Sequence, residues 1–169
     1  MQNPQERSLS WLAGILEAEG SISFQAYVKP NNTVMIQPYI CITNTDNLIL
    51  DESKRILNLI LKDHKNAKPR ICGHSSTNKP CWILRLDGRA VKDVLIVLLP
   101  YIIGEKKRNA EVVIKYINGR SENLLSRDTL GRLKRNGYTR QEIELVSSIR
   151  TSKRAKSSET LRKASNVIG

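Results

Sequence analysis

The sequence predicts a mixed α/β fold of the α+β kind, in which β-hairpins alternate with helices in the order helix–hairpin–helix–hairpin–helix–helix. Three observations carry that prediction. Residues 21–29 and 34–43 alternate apolar and polar around the turn "KPNNT", as strands with one face on a core do. Apolar residues recur at helical spacing in the segments that follow each hairpin. The first helix is apolar on two sides, which calls for burial on two sides.

That first helix is expected from Ser8, a plausible N-cap, to Gly20. Leu9, Leu12, Ala13 and Leu16 form one stripe, and Trp11, Gly14, Ile15 and Ala18 a second. Gly14 and Ala18, four apart, let another backbone approach closely. In the hairpin, Ile22, Phe24, Ala26, Val28, Val34, Ile36, Ile40 and Ile42 face the core. Ser23, Gln25, Tyr27, Lys29, Gln37, Tyr39, Cys41 and Thr43 face outward. Pro38 marks an edge or a bulge in the second strand.

Asp46 is a candidate N-cap for a second helix carrying Ile49, Ile56 and Ile60. The second hairpin runs over 68–75 and 81–86, with Trp82, Leu84 and Leu86 inward and Arg70, His74 and Arg85 on the outer side. Asp87 is expected to cap a third helix (Val91, Val94, Leu95, Leu98) that Pro100 stops. A fourth, with Ala110, Val113, Ile114 and Ile117 on one face, stops at Gly119. Beyond it the pattern weakens, although Thr139 and Glu142 have the spacing of a capping box. A Ser/Lys-rich segment, "TSKRAKSSE", precedes a last helix.

The charge balance narrows the partners. Of 169 residues, 28 are Lys or Arg and 16 are Asp or Glu, a net charge of +12, which favours phosphate polyanions. No apolar run approaches the roughly 20 residues of a membrane span, so no membrane partner is expected. The N-terminus lacks a signal-peptide layout, so the expected location is intracellular. Aromatics at 5% are too few for a base-stacking platform. Three cysteines without CxxC spacing read as reduced, mostly buried thiols, and Cys72, His74 and Cys81 fit no common zinc pattern.

Against this background, "LAGILEAEG" places Glu17 and Glu19 at the end of the first helix, where the dipole disfavours a carboxylate. Acids so placed in a basic protein are either structural caps or hard oxygen ligands for a cation such as Mg²⁺. The outward strand residues are of the types that read base edges in a DNA major groove. An ordinary solvated sheet face would look the same.

"WLAGILEAEGSISF" (11–24) resembles the signature of the LAGLIDADG homing endonucleases. "ITNTDNLILDESKRIL" is similar to that family's segment entering its second helix, and "LLPYIIGEKKRNAEVVIKYI" to the Lys-rich helix of its single-motif members. "SKRAKSSETLRKA" resembles their basic C-terminal segment. The resemblance implies an αββαββα fold with curved antiparallel sheets and extra C-terminal helices. It implies a core at 1–119, with 120–169 a helical, basic extension of the same domain that contacts the DNA backbone.

The site residues follow from the same resemblance. Glu19 falls on the catalytic metal ligand and Ala18 offers its backbone carbonyl; Glu17 looks structural, bracing the helix bundle. Asn44 matches the polar residue that positions water, and Lys106, with Lys107 as rival, the lysine that stabilises phosphate charge. Leu48 stands where the family often has a basic residue. Both motif acids are Glu where the family name has Asp. Lys153 and Lys156 resemble residues that grip DNA phosphates.

The resemblance thus implies a site-specific double-strand DNA endonuclease acting on a long pseudo-palindromic site. Mg²⁺ is the implied cofactor, with Mn²⁺ or Ca²⁺ as substitutes for binding. One motif supplies one acid and two strands need two, so the expected state is a homodimer joined through Trp11, Gly14, Ile15 and Ala18. The expected compartment is a prokaryotic cytoplasm or an organelle. The alternatives are a maturase that binds its own intron RNA and a DNA-binding regulator without catalysis.

Overall fold

The computed structural model describes residues 4–30, 34–64, 68–75, 80–123 and 137–149. The elements run α1 (Pro4–Glu19), β1 (Gly20–Val28), β2 (Val34–Asn44), α2 (Asn47–Ile60), β3 (Arg70–Ser75), β4 (Pro80–Asp87), α3 (Ala90–Leu98), α4 (Gly104–Asn123) and α5 (Arg140–Ile149). The mixed α/β order of helices and hairpins is the expected one. One antiparallel sheet, ordered β1-β2-β4-β3, carries helices on one face, and among the described residues the other face is open.

The core lies between these layers. Ile22, Phe24, Ile36, Ile40, Ile42, Leu84 and Leu86 project from the sheet into Leu12, Ala13 and Leu16 of α1, Leu50, Ile56 and Leu57 of α2, and Val91, Val94, Leu95 and Leu98 of α3. Phe24 meets Tyr116 of α4 edge-on, with ring centroids 4.8 Å apart. Each strand is buried on one side only, so its period-two pattern is what the packing requires. Val28 departs from it, lying exposed at the strand's end where the helical layer stops.

Several local expectations are corrected. Helix α1 begins at Pro4, four residues before Ser8, because proline in a first turn gives up an N–H that has no helical partner. Asp87 does not cap α3: it closes β4 and faces outward, bonded to Arg85, and Gly88 at φ +83° turns the chain into the helix. Gly119 does not end α4. The helix continues to Asn123, and Arg120, just past the glycine, donates to the Gly137 carbonyl at 2.9 Å and stacks on Tyr138. Those contacts outweigh the roughly 1 kcal/mol that a helical glycine costs.

Pro38 sits in an interior strand without a bulge, paired with Phe24. Its carbonyl accepts the Gly88 N–H at 2.9 Å, so its missing N–H lies where β4 runs out, and β2 is locally an edge there. Asp46 caps α2 as expected, accepting the Leu48 N–H at 2.8 Å. The capping box of α5 is present: Glu142 accepts from the Thr139 amide at 2.7 Å, and Thr139 from that of Glu142 at 3.2 Å. Tyr138 and Tyr116 then bond the amide and carbonyl of Ile36, joining the segment before α5, together with α4, to β2. The last expected helix, with Lys153 and Lys156, lies outside the described residues.

Candidate functional site

The acidic end of α1 has two carboxylates with different fates. Glu17 turns to the start of α4, where its Oε1 accepts the Ile103 N–H at 2.9 Å. Ile103 is the residue whose carbonyl opens α4 by accepting from Lys107. Glu17 is therefore favourably placed after all, at the positive end of a neighbouring helix. Glu19 is exposed and has no hydrogen bond or ion pair among the described residues.

No loop separates Glu19 from the sheet: α1 ends at Glu19 and β1 starts at Gly20. A Cβ on Gly20 would stand 2.6 Å from the Leu16 carbonyl oxygen and 2.9 Å from its Cα. The glycine is needed because the strand folds back against the last helical turn, a steric reason that reading it as a helix stop does not capture.

Lys106, from the first turn of α4, returns the tie. Its ammonium donates to the carbonyls of Leu16 and Glu17 at 2.8 Å each and of Gly20 at 2.6 Å. Leu16 and Glu17 belong to the last turn of α1, whose carbonyl end a cation stabilises, and Gly20 opens β1. The three ammonium protons are thus spent on backbone, and the Ala18 carbonyl is passed over. Lys107 is exposed. At the far end of β2, the Asn44 Oδ1 accepts the Asp46 N–H at 2.8 Å, an Asx turn into α2. Leu48, on that first turn, is 77% exposed.

The open face of the sheet begins beside Glu19. Register sets Ser21, Cys41, Arg85 and Arg70 in one row across all four strands, with Ser23, Tyr39 and Asp87 in the next and Gln25 and Gln37 beyond. Arg85 is held from three sides. Its Nε donates to Asp87 Oδ1 at 2.8 Å, its Nη2 to Gln25 Oε1, and its guanidinium lies 4.3 Å from the centre of the Tyr39 ring. The Tyr27 hydroxyl reaches Gln37 Oε1 at 3.5 Å, the outer limit of a hydrogen bond. Thr43 lies within 3.8 Å of the Cys41 sulfur.

Ser23, Gln25, Tyr27, Gln37, Tyr39, Thr43, Arg70 and Arg85 are therefore brought to one surface. Lys29 lies just past β1, and His74 is at the outer-face register position opposite Cys81. The His74 side chain lies outside the described residues, as do Lys153 and Lys156. The cysteines are not core thiols: Cys72 is exposed, and Cys41 and Cys81 are half-buried on the outer face. Burial pushes the Cys41 thiol above its ordinary pKa. The residue missed was Asp87, and the period of two that placed Arg85 outward also reaches it.

On α1, the first apolar stripe is buried while the second is not. Trp11 is 38% exposed, Gly14 and Ala18 are exposed, and nothing lies within 4 Å of a Cβ built on Gly14. Among the described residues no cluster of three or more His, Cys, Asp or Glu is assembled. No described helix is long and apolar enough to cross a membrane.

The whole arrangement matches solved structures end to end. The homing endonuclease I-CvuI, in complex with its DNA target in the presence of 2 mM Ca, superposes with a TM-score of 0.66 at 16% identity, over 96% of either chain. The archaeal intron-encoded homing endonuclease I-Vdi141I, complexed with DNA, gives 0.67 at 15% identity, over 96% of this chain and 98% of that one. The LAGLIDADG meganuclease I-CpaMI, bound to uncleaved DNA, gives 0.63 at 17% identity, over 94% of this chain and 49% of that one.

This is the LAGLIDADG homing endonuclease fold.

No protein-family model and no curated protein matches the chain. The LAGLIDADG assignment therefore joins two independent likenesses, the fold and the motif at 12–20. Within that fold the motif helix is α1, and its two acids are the capping Glu17 and Glu19, which has no partner among the described residues.

Proposed function

We propose that this chain is a site-specific, metal-dependent DNA endonuclease of the homing type, working as a homodimer. The observation that carries the reading is Glu19: an exposed carboxylate without a side-chain partner among the described residues, one residue from the first strand of an outward polar sheet. At the carbonyl end of α1 the helix dipole disfavours a carboxylate by about 0.3–1 kcal/mol, a cost that a bound cation would offset. The outer face supplies the rest of the reading surface, with Ser23, Gln25, Tyr27, Gln37, Tyr39, Thr43, Arg70 and Arg85 toward base edges. Lys29, His74, Lys153 and Lys156 complete the proposed DNA contacts.

The donors at this helix end fit a hard divalent cation. Glu19 and the Ala18 carbonyl are oxygen ligands of the kind Mg²⁺ takes, with remaining positions open to phosphate oxygens and water. A divalent ion bound there offsets phosphate charge and makes water a stronger nucleophile. Lys106 serves the site from behind, neutralising the carbonyl end of α1 and fixing the direction of Glu19. Asn44 stands at the end of β2, with its amide nitrogen directed away from the Asx turn that uses its oxygen.

The uncovered stripe of Trp11, Gly14, Ile15 and Ala18 is the proposed dimer face. Two such chains would present two Glu19 carboxylates, one for each DNA strand, and symmetric half-sites would mirror the twofold axis. The length relation to I-CpaMI supports this, since this chain covers 49% of that one, a proportion a second copy would complete. A plasmid library of candidate sites, incubated with the protein in the presence and absence of Mg²⁺, tests the proposal. Metal-dependent linearisation of particular clones supports it. Binding to its own intron RNA, with no cleavage of any clone, would refute it in favour of the maturase alternative.

A further inference from the structure

The cluster around Arg85 has a hydrogen-bonding polarity that reaches beyond a general reading face. Arginine carries five N–H donors and no acceptor. Among the described residues, one goes to Asp87 and one to Gln25, which leaves three for a ligand. Because arginine can only donate, the Gln25 oxygen must face it, which fixes the amide orientation of Gln25. Gln25 is exposed, so what it presents outward is its NH₂ group.

Arg85 and Gln25 together therefore offer a run of donors. Tyr39 lies against the guanidinium, Asp87 anchors its Nε and Gln25 accepts from its Nη2, so the run is held in place before any ligand arrives. Asp87 also offsets the charge of Arg85, which weakens its pull toward phosphates in general and leaves directional hydrogen bonding as its main use.

We infer that this patch recognises guanine in the major groove. Guanine shows two acceptors there, N7 and O6, whereas adenine shows one acceptor and one donor. The usual glutamine–adenine pairing needs the glutamine oxygen to accept from N6. At Gln25 that oxygen is engaged by Arg85, and the adenine amino group would be set against the guanidinium donors. Thymine O4 offers one acceptor beside a methyl group, so it satisfies half of the patch. The patch thus assigns a G·C pair to one position of each half-site. This inference rests on the proposed reading of the sheet as a DNA-binding face.

Selection of bound duplexes from a library of random base pairs tests both levels separately. Wild-type protein is expected to enrich sites with guanine at one position in each half. Replacing that guanine by 7-deazaguanine, which removes the N7 acceptor, should weaken binding by about 5- to 100-fold, the range for a lost base contact. Gln25→Glu, which keeps the bond to Arg85 but turns the outward donor into an acceptor, should shift the preference to a base bearing an exocyclic amine. Melting curves of the variant establish that it is folded. Enrichment of a defined site whose consensus has no guanine that responds to Gln25→Glu or to 7-deazaguanine would overturn the inference and leave the DNA-binding reading standing. No enrichment of any sequence would overturn both.

Discussion

Glu17 and Ile103, 86 residues apart, are joined by one hydrogen bond of 2.9 Å from the Ile103 amide to the Glu17 carboxylate. Three residues later Lys106 sends its ammonium the opposite way, onto the carbonyl end of α1. Each helix thus covers the other's unpaired backbone groups with the charge that its dipole favours. The acid that looked misplaced on its own helix is well placed on the next.

Glu17→Ala should lower stability by about 1 kcal/mol, the usual loss for a removed N-terminal cap. Lys106→Met should lower it by about 1–2 kcal/mol. Both act on one joint, so the double variant should fall short of the sum of the two. Urea unfolding of the four proteins measures this, and strict additivity would mean that the two ties are independent.

Gly20→Ala forces a methyl group against the Leu16 backbone, where neither the carbonyl nor the Cα can yield cheaply. A loss of about 1–3 kcal/mol or more is expected from such overpacking. Thermal melts of Gly20→Ala beside Gly14→Ala provide the contrast, because a Cβ on Gly14 meets nothing within 4 Å in the single chain.

Glu19→Gln is expected to abolish cleavage and retain DNA binding. Loss of a metal-binding carboxylate should reduce the rate by at least about 10³. Because Glu19 has no protein partner among the described residues, the variant should also melt at the wild-type temperature. A Gln variant that cuts at the wild-type rate would remove Glu19 from the chemistry.

Gly14→Leu places a bulky side chain on the uncovered stripe of α1, where two backbones are proposed to meet. Sedimentation equilibrium should show a dimer for the wild-type chain at micromolar concentration and mostly monomer for the variant. A wild-type protein that stays monomeric both free and on DNA would require a different source for the second carboxylate.

Two tyrosines set the alkaline limit of stability. Burial pushes the hydroxyls of Tyr116 and Tyr138 above their ordinary pKa of 10.0, Tyr116 most strongly. The folded state therefore keeps protons that the unfolded chain releases. Stability is complete below pH 10 and declines as pH rises beyond it. Tyr116→Phe should flatten that decline, at the expense of its 3.3 Å bond to the Ile36 carbonyl. Unfolding free energies between pH 8 and about 11.5 measure the slope.

Much of the architecture was legible because one-sided burial writes itself into period. Ile22 and Phe24, or Leu84 and Leu86, alternate with polar residues since the helices cover one face only. Asp46, Thr139 and Glu142 were legible because a cap is made within three residues. What could not be read depended on partners distant in sequence. Arg120 and Gly137 carry α4 past Gly119, and Lys106 reaches back 90 positions to Leu16. Asp87 was misassigned although its partner is near, because two local roles competed for one aspartate and the pairing with Arg85 on the same strand prevailed over the cap. The position of Glu19 was legible from the motif, but its lack of a partner among the described residues required the fold.

The direct passage from α1 into β1 has a mechanical consequence. A loop between helix and strand would absorb small rotations of the sheet. Here a single peptide link at Gly20, wedged against Leu16 and clasped by Lys106, leaves no slack. A tilt of β1 against an ill-fitting duplex is therefore also a tilt of the Glu19 carboxylate. Under the proposed function, fidelity would be a matter of leverage: a poor fit along the strand would displace the acid from its working position, without a separate sensing element.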